Sequence, residues 1–379
     1  MTSLPPSPSQ WRASTTTVAG RVVTYQRRPG LPSGLMVSPA ALWLAHECAK
    51  YPDPVLCVDV AFGLPALAFP NRHIDVLTRH AGMTASMAQS APSVTVLSES
   101  TTLAPGHYQA ILIEVPPTRE AWRQRLCHAW PALAPGGVLI ACGANDAGGK
   151  IAASDVKALF GRCNEQSKHH QRMVTAIKPA SIANPPPWFT QAGIALGTWT
   201  HIDFHGRRYV SQAGVFAHDR VDTASALLCQ QLPALTGQRV LDLGAGAGIL
   251  GGWALDAGAA SVDLIDVDAH AVASLRRTFA DCATVRIAWG DVLDGLPWTQ
   301  QYDVIVSNPP FHAGKQRDDA MVQAFVATAA RHLAPQGAFW LVANAFLPYR
   351  PLLSTFFADV TSVTTTPAYH VITARNPLA

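Results

Sequence analysis

No apolar run in the sequence approaches the ~18 residues needed to span a bilayer, so a membrane partner is not expected. Charged side chains are scarce, at 14% against 49% hydrophobic, which excludes global disorder. No C-x-x-C pair occurs. Cys48, Cys57, Cys127, Cys142, Cys163, Cys229 and Cys282 are scattered and odd in number, which argues against a disulfide framework or a zinc site. The opening MTSLPPSPSQWR lacks the apolar core of a secretory signal. These absences lead to the expectation of a cytoplasmic protein with reduced thiols and no bound metal. What is present is length: 379 residues hold two domains of about 100–200 residues each.

The net charge of +3 conceals a split. Residues 1–180 carry 16 Lys and Arg against 10 Asp and Glu, whereas residues 181–379 carry 12 against 15. A basic half beside an acidic one is compatible with a polyanionic partner for the first.

The first 36 residues are rich in Ser, Thr, Pro and Arg and read as a flexible arm, with one strand at Arg21–Gln26. Residues 37–180 alternate short apolar strands with helices, including Pro39–Lys50 and Arg119–Leu133, as in a doubly wound α/β sheet. A proline-rich hinge occupies 181–200, and residues 201–379 repeat the rhythm. Strands are expected at Arg239–Leu243, Ser261–Asp266, Thr284–Ala288, Asp303–Ser307 and Ala338–Ala343, followed by an antiparallel pair. Two correspondences point to internal duplication: Tyr108–Pro117 with Tyr302–Pro310, and Leu133-Ala-Pro-Gly-Gly137 with Leu333-Ala-Pro-Gln-Gly337.

The strongest local signal is Val240-Leu-Asp-Leu-Gly-Ala-Gly-Ala-Gly-Ile-Leu250, a strand entering a glycine turn and then a helix. Gly244, Gly246 and Gly248 let the backbone approach a ligand, and the helix start supplies N–H groups. A dinucleotide needs one acid after the next strand. Here Asp242, Asp266 and Asp291 stand at the ends of three successive strands, a set suited to S-adenosylmethionine. In that reading Asp242 reaches the amino-acid end, directly or through water, Asp266 accepts the ribose hydroxyls and Asp291 accepts the adenine amine, with Trp289 helping to line the pocket.

Asn308-Pro309-Pro310-Phe311 follows the strand Asp303–Ser307. Two prolines remove two backbone donors, so the tip offers mostly acceptors, the Asn308 amide oxygen and the Pro309 carbonyl. Those suit a planar amine, and Phe311 can stack on the ring that bears it.

These residues carry a resemblance. The second half resembles a class I methyltransferase with the N-P-P-[FY] signature. More closely, the chain is similar to the bacterial ribosomal RNA guanine-N2 methyltransferases, which have two tandem Rossmann-like methyltransferase domains. The stretches Gly214–Asp222, Val240–Gly248, Asn308–Gly314 and Ala343–Tyr349 support it. The resemblance implies a degenerate N-terminal domain that has lost cofactor binding and helps hold RNA. The sequence agrees: Val58–Leu64 has one glycine where the second turn has three, and Glu114 replaces Asn308. Ala245, and Ala224 before Ser225, depart from the family pattern as small-for-small changes. Features of the small-subunit and large-subunit branches are mixed.

Expected partners are ribosomal RNA or a ribosomal subunit, with the protein monomeric. Candidate RNA contacts are Phe216, Asp222, His312, Lys315, Arg317, Arg207, Arg208, Lys168 and Arg172, with Lys178 in the same basic run. Two alternatives stay open: amine methylation of protein glutamine or nucleic-acid adenine, and a non-catalytic RNA-binding or assembly protein.

Overall fold

The computed structural model describes residues 11–32, 36–98, 101–182, 184–192, 199–310, 312–313, 316–317 and 319–378. The chain forms two compact units, one from Trp11–Thr198 and one from Trp199–Ala379.

The sheet of the first unit contains β1 (Val55–Val58), β2 (Ile74–Thr78), β3 (Val96–Ser98), β4 (Tyr108–Glu114), β5 (Leu133–Ala144), β6 (Asn164–Lys168) and β7 (Gln171–Ile177). Their spatial order is β3-β2-β1-β4-β5-β7-β6. The second contains β8 (Arg239–Leu243), β9 (Ser261–Asp266), β10 (Val285–Trp289), β11 (Tyr302–Ser307), β12 (Leu333–Asn344), β13 (Phe357–Thr365) and β14 (Tyr369–Pro377), ordered β10-β9-β8-β11-β12-β14-β13. The two orders are the same. In each sheet five strands run parallel and an antiparallel hairpin closes one edge. Central strands such as Val-Leu-Cys-Val are apolar throughout because both faces are covered. Alternate residues accordingly enter different cores, Val55 and Cys57 in one, Leu56 and Val58 in the other.

Register makes the duplication residue-specific. The pairing of β4 with β5 slips between Tyr108 and Ala110, and that of β11 with β12 slips between Tyr302 and Val304. Aligning the slips sets Tyr108 on Tyr302 and Glu114 on Asn308. The parallel neighbours then place Cys57 on Asp242, Asp59 on Gly244, Phe62 on Ala247 and Thr78 on Asp266.

Of the expected arm, residues 1–10 and 33–35 lie outside the described residues, the strand expected at Arg21–Gln26 is present as Arg21–Arg27, and the described part is folded rather than flexible. Arg12–Val18 pairs with Arg21–Arg27 in a hairpin whose Val18, Val23 and Tyr25 are buried in the first unit's core. The second unit has its counterpart, Thr200–Phe204 with Arg207–Ser211. Both turn through two left-handed residues, Ala19 and Gly20 (φ 48° and 78°) and His205 and Gly206 (φ 48° and 82°), the geometry of a tight hairpin turn. The expected hinge is partly docked as well. A short helix, Pro187–Ala192, sets Phe189 against the Trp130 ring at 5.8 Å, and Arg123 lies 4.8 Å over Trp188.

Candidate active site

At the carboxyl ends of β8, β9, β10 and β11 the second unit opens a cleft of about 440 Å³. The turn after β8 forms one wall. Gly244 and Ala245 both donate to the Ile265 carbonyl, which pins the turn to β9. Gly246 (φ 54°) lines the cleft, and a Cβ there would meet nothing within 4 Å, so a ligand can approach the bare backbone. Gly248 behaves differently. Its Cβ would lie 2.6 Å from Leu275, and it starts the helix Ile249–Asp256 in a left-handed conformation rather than lining the cleft. The absence of a side chain there serves packing against Leu275 and Phe279.

The three acids do not play equal parts. Asp266 lines the cleft and accepts from Gly246 N–H and Asp268 N–H, each at 2.8 Å; burial pushes its pKa up to about 6. Asp291 also lines it, is 3% exposed, and accepts from Leu293 N–H at 3.0 Å. Asp242 lies behind the turn and does not line the cleft. One of its oxygens accepts from Gly251 N–H at 2.9 Å, the other is buried with no hydrogen-bond partner, and burial raises its pKa to about 7. Asp242 thus stands behind the lining residues, bonded to helix Ile249–Asp256 through Gly251 N–H. Trp289 likewise stays outside the lining and donates to the carbonyl of Val267, which is inside it.

The opposite wall is the loop after β11. Ser307 Oγ donates to Leu243 O at 2.7 Å, tying the end of β11 to the end of β8. Asn308 and Pro309 follow at the cleft. Asn308 Nδ2 donates to Asp222 Oδ2 at 2.9 Å and to Ser225 Oγ at 3.0 Å. Asp222 is held by its own work as the cap of helix Thr223–Gln231, accepting from Ser225 N–H at 2.9 Å. With the amide nitrogen spent, the Asn308 oxygen remains as an acceptor, and the tip favours a ligand that donates. Pro310 and Phe216 also border the cleft, and Phe216 is 68% exposed. Phe311 and Lys315 lie outside the described residues, as do the side chains of His312 and Arg317.

Sequence reasoning missed Arg220, Asp268, Met321 and Phe325, which all line the cleft. Only Arg220 fell in a stretch singled out beforehand. The apolar floor of Met321 and Phe325 comes from helix Asp319–His332, where periodicity marks them as core and nothing more.

Several expected RNA contacts are committed elsewhere. Arg207 pairs with Asp256, and Arg208 with Asp203 at 2.9 Å. Arg172 pairs with Glu165, and Lys178 donates to the Trp130 and Leu133 carbonyls, both at 2.6 Å. Lys168 is exposed on β6. Outside the cleft, His73, Asp75 and His107 bring possible metal-ligand atoms within 4.8 Å of one another, where no metal was expected; Asp75 accepts from Tyr108.

The first unit's copy of the cleft is filled. Asp59, in the place of Gly244, forms an ion pair with Arg125, which is 4% exposed and stands where Phe325 does. Phe62, in the place of Ala247, is fully buried with the Tyr25 ring 4.5 Å away. Thr78 replaces Asp266, and Glu114, in the place of Asn308, accepts from Ser38 Oγ at 2.5 Å and Ala61 N–H at 2.9 Å.

In the second unit the residues fit S-adenosylmethionine: a bare backbone over Gly246, two acids in the lining, and an unpaired buried carboxylate oxygen behind a ligand that would carry positive charge. The family model of the methyltransferase small domain matches residues 206–373. Ribosomal RNA small subunit methyltransferase C of Pseudomonas paraeruginosa is 34% identical over 303 residues, covering 79% of this chain and 88% of its own. The chain belongs to this family. The corresponding methyltransferase C of Chromohalobacter salexigens is 35% identical over 247 residues, 64% of this chain and 70% of its own. Among solved structures, the Thermus thermophilus 16S rRNA N2 G1207 methyltransferase, in complex with AdoMet and guanosine, matches with a TM-score of 0.80 and 26% identity. That match covers 96% of this chain and 98% of the other, so the two proteins share both units.

Proposed function

We propose that this methyltransferase C relative methylates the exocyclic N2 amine of a guanine in ribosomal RNA, with small-subunit RNA the favoured target. The observation that carries the reading is the Asn308 amide, its nitrogen bonded to Asp222 and Ser225, beside a cleft lined by Asp266 and Asp291. S-adenosylmethionine, when bound, supplies an electrophilic methyl group on its sulfonium.

The chain's own residues then hold the amine. The Asn308 oxygen and the Pro309 carbonyl accept its two N–H bonds, favouring a pyramidal nitrogen whose lone pair is free to attack. Catalysis rests on positioning and fixed dipoles and needs no dedicated base, because the proton shed by the methylated amine passes to solvent water. A paired guanine must leave its stack to enter such a cleft, and the exposed Phe216 at the border is placed to meet its ring. Asp266 and Asp291 serve as acceptors for the cofactor's ribose and adenine. The first unit, with its turn plugged by Asp59–Arg125 and a basic charge balance, holds RNA without binding cofactor. The protein acts in the cytoplasm as a monomer, on ribosomal RNA or a ribosomal subunit.

Nucleoside mass spectrometry of ribosomal RNA from a deletion strain, subunit by subunit, tests this. One N2-methylguanosine is expected to vanish from the small subunit and return with the wild-type gene but not with Asn308→Ala. Unchanged profiles in both subunits would overturn the assignment.

A further inference from the structure

Asparagine is an ambiguous catalytic group, because rotating its amide by half a turn exchanges an acceptor for a donor. A donor facing the guanine amine would repel it. What fixes the choice lies 86 residues earlier in the chain: Asp222 Oδ2 accepts from Asn308 Nδ2 at 2.9 Å, with Ser225 Oγ as a second acceptor at 3.0 Å. An ionised carboxylate can only accept.

The duplicated unit shows the same two positions wired in reverse. Ser38 caps helix Pro39–Cys48 as Asp222 caps Thr223–Gln231, and Glu114 stands on Asn308. There the cap residue donates, Ser38 Oγ to Glu114, whereas in the second unit the cap residue accepts. A helix cap is satisfied equally well by Ser or Asp. Capping alone therefore does not demand Asp222; orientation of the amide does.

We propose that Asp222, with Ser225, is a positioning residue that locks Asn308 with its oxygen toward the target amine. The proposal rests on the methyl-transfer reading above.

Asp222→Ser transplants the first unit's own cap, keeping the cap while removing the obligate acceptor. It is expected to lower kcat about 100-fold, the scale of losing one oriented polar group, with KM for RNA, S-adenosylmethionine affinity and the thermal transition unchanged. Asp222→Asn keeps an oxygen at the same place and should recover kcat to within about tenfold of wild type. Without any ligand, nitrogen-15 spectra of asparagine-labelled protein should show one Asn308 Nδ2 proton displaced downfield in wild type and not in Asp222→Ser, the signal being identified by its loss in Asn308→Ala.

Wild-type kcat in Asp222→Ser would overturn the lock, as would Asp222→Asn being as slow as Asp222→Ser. So would an Asn308 signal indifferent to Asp222. Should Asp222→Ser fail to fold, Ser225→Ala decides: loss of kcat alone supports the lock, and full kcat overturns it. A wild-type protein inactive on ribosomal RNA would count instead against the function proposed above.

Discussion

Tyr302 reaches across β8 to donate its hydroxyl to Asp263 on β9 at 2.6 Å, and Tyr108 does the same to Asp75 at 2.7 Å in the first unit. Both pairs are buried, and they occupy matching register positions. Asp263 has further support from Arg286 and from Gln300 at 2.6 Å. Asp75 has His73 Nε2 at 3.8 Å. Replacing either tyrosine by phenylalanine takes one donor from a buried carboxylate, at a cost of about 1.5–3 kcal/mol. The larger loss is expected for Tyr108→Phe, whose acid keeps weaker support. Urea denaturation of the two variants checks the size and the order.

The plugged turn of the first unit gives a second expectation. Asp59→Ala leaves the Arg125 guanidinium, 4% exposed, without its carboxylate, and removing one partner of a buried pair costs about 3–5 kcal/mol. Losing the side chain opens no cofactor site, because Phe62 and Thr78 remain. Calorimetry should therefore find one S-adenosylmethionine per chain in wild type. A variant stable enough to titrate should give the same. A stoichiometry of two would contradict the account of the first unit.

The raised carboxylates set a pH dependence. Asp242 and Asp266, ordinarily near 3.8, are pushed by burial to about 7 and about 6. Between these values and 3.8 the folded protein holds more protons than the unfolded chain. Their contribution to stability is thus present below pH 3.8 and is lost as pH rises through 6 to 7. A cationic cofactor favours the ionised forms, so its binding releases protons near pH 6 and tightens on going to pH 8, by roughly tenfold for each unit that a carboxylate's pKa falls. Titrations at pH 6 in buffers of different ionisation heat should register that release. An affinity flat from pH 5.5 to 8 would exclude the coupling.

Much of the second unit could be read from residues alone, because its strands are short, apolar and bounded by glycine, proline and aspartate. Strands β8 and β9 begin and end where the pattern puts them. The strand Arg12–Val18 is not legible because Arg-Ala-Ser-Thr-Thr-Thr-Val is polar along most of its length, and its pairing in a hairpin like Thr200–Ser211 makes it part of the repeat. A motif gives the order of residues along a turn but not the direction each faces, so the burial of Asp242 and the packing of Gly248 against Leu275 are not legible in it. Arg207 looked free until Asp256, 49 residues away, was brought beside it. The partnership of Asp222 with Asn308 is of the same kind, set by tertiary proximity and by neither local spacing nor composition.

Phe346 offers a test of RNA contact outside the cleft. It lies on the loop between β12 and helix Tyr349–Leu353, past the strand next to β11, and is 73% exposed. Exposed aromatic rings provide bases with stacking surfaces worth about 1–3 kcal/mol per base. Phe346→Ala should raise KM for RNA about tenfold, leaving kcat at saturation, S-adenosylmethionine affinity and thermal stability as they are. Val22, 75% exposed in the first unit's hairpin, provides the control, since Val22→Ala removes a comparable surface hydrophobe without a ring. Steady-state kinetics on ribosomal RNA separate the outcomes: a KM shift confined to Phe346→Ala supports stacking, and equal behaviour of the two variants rules it out.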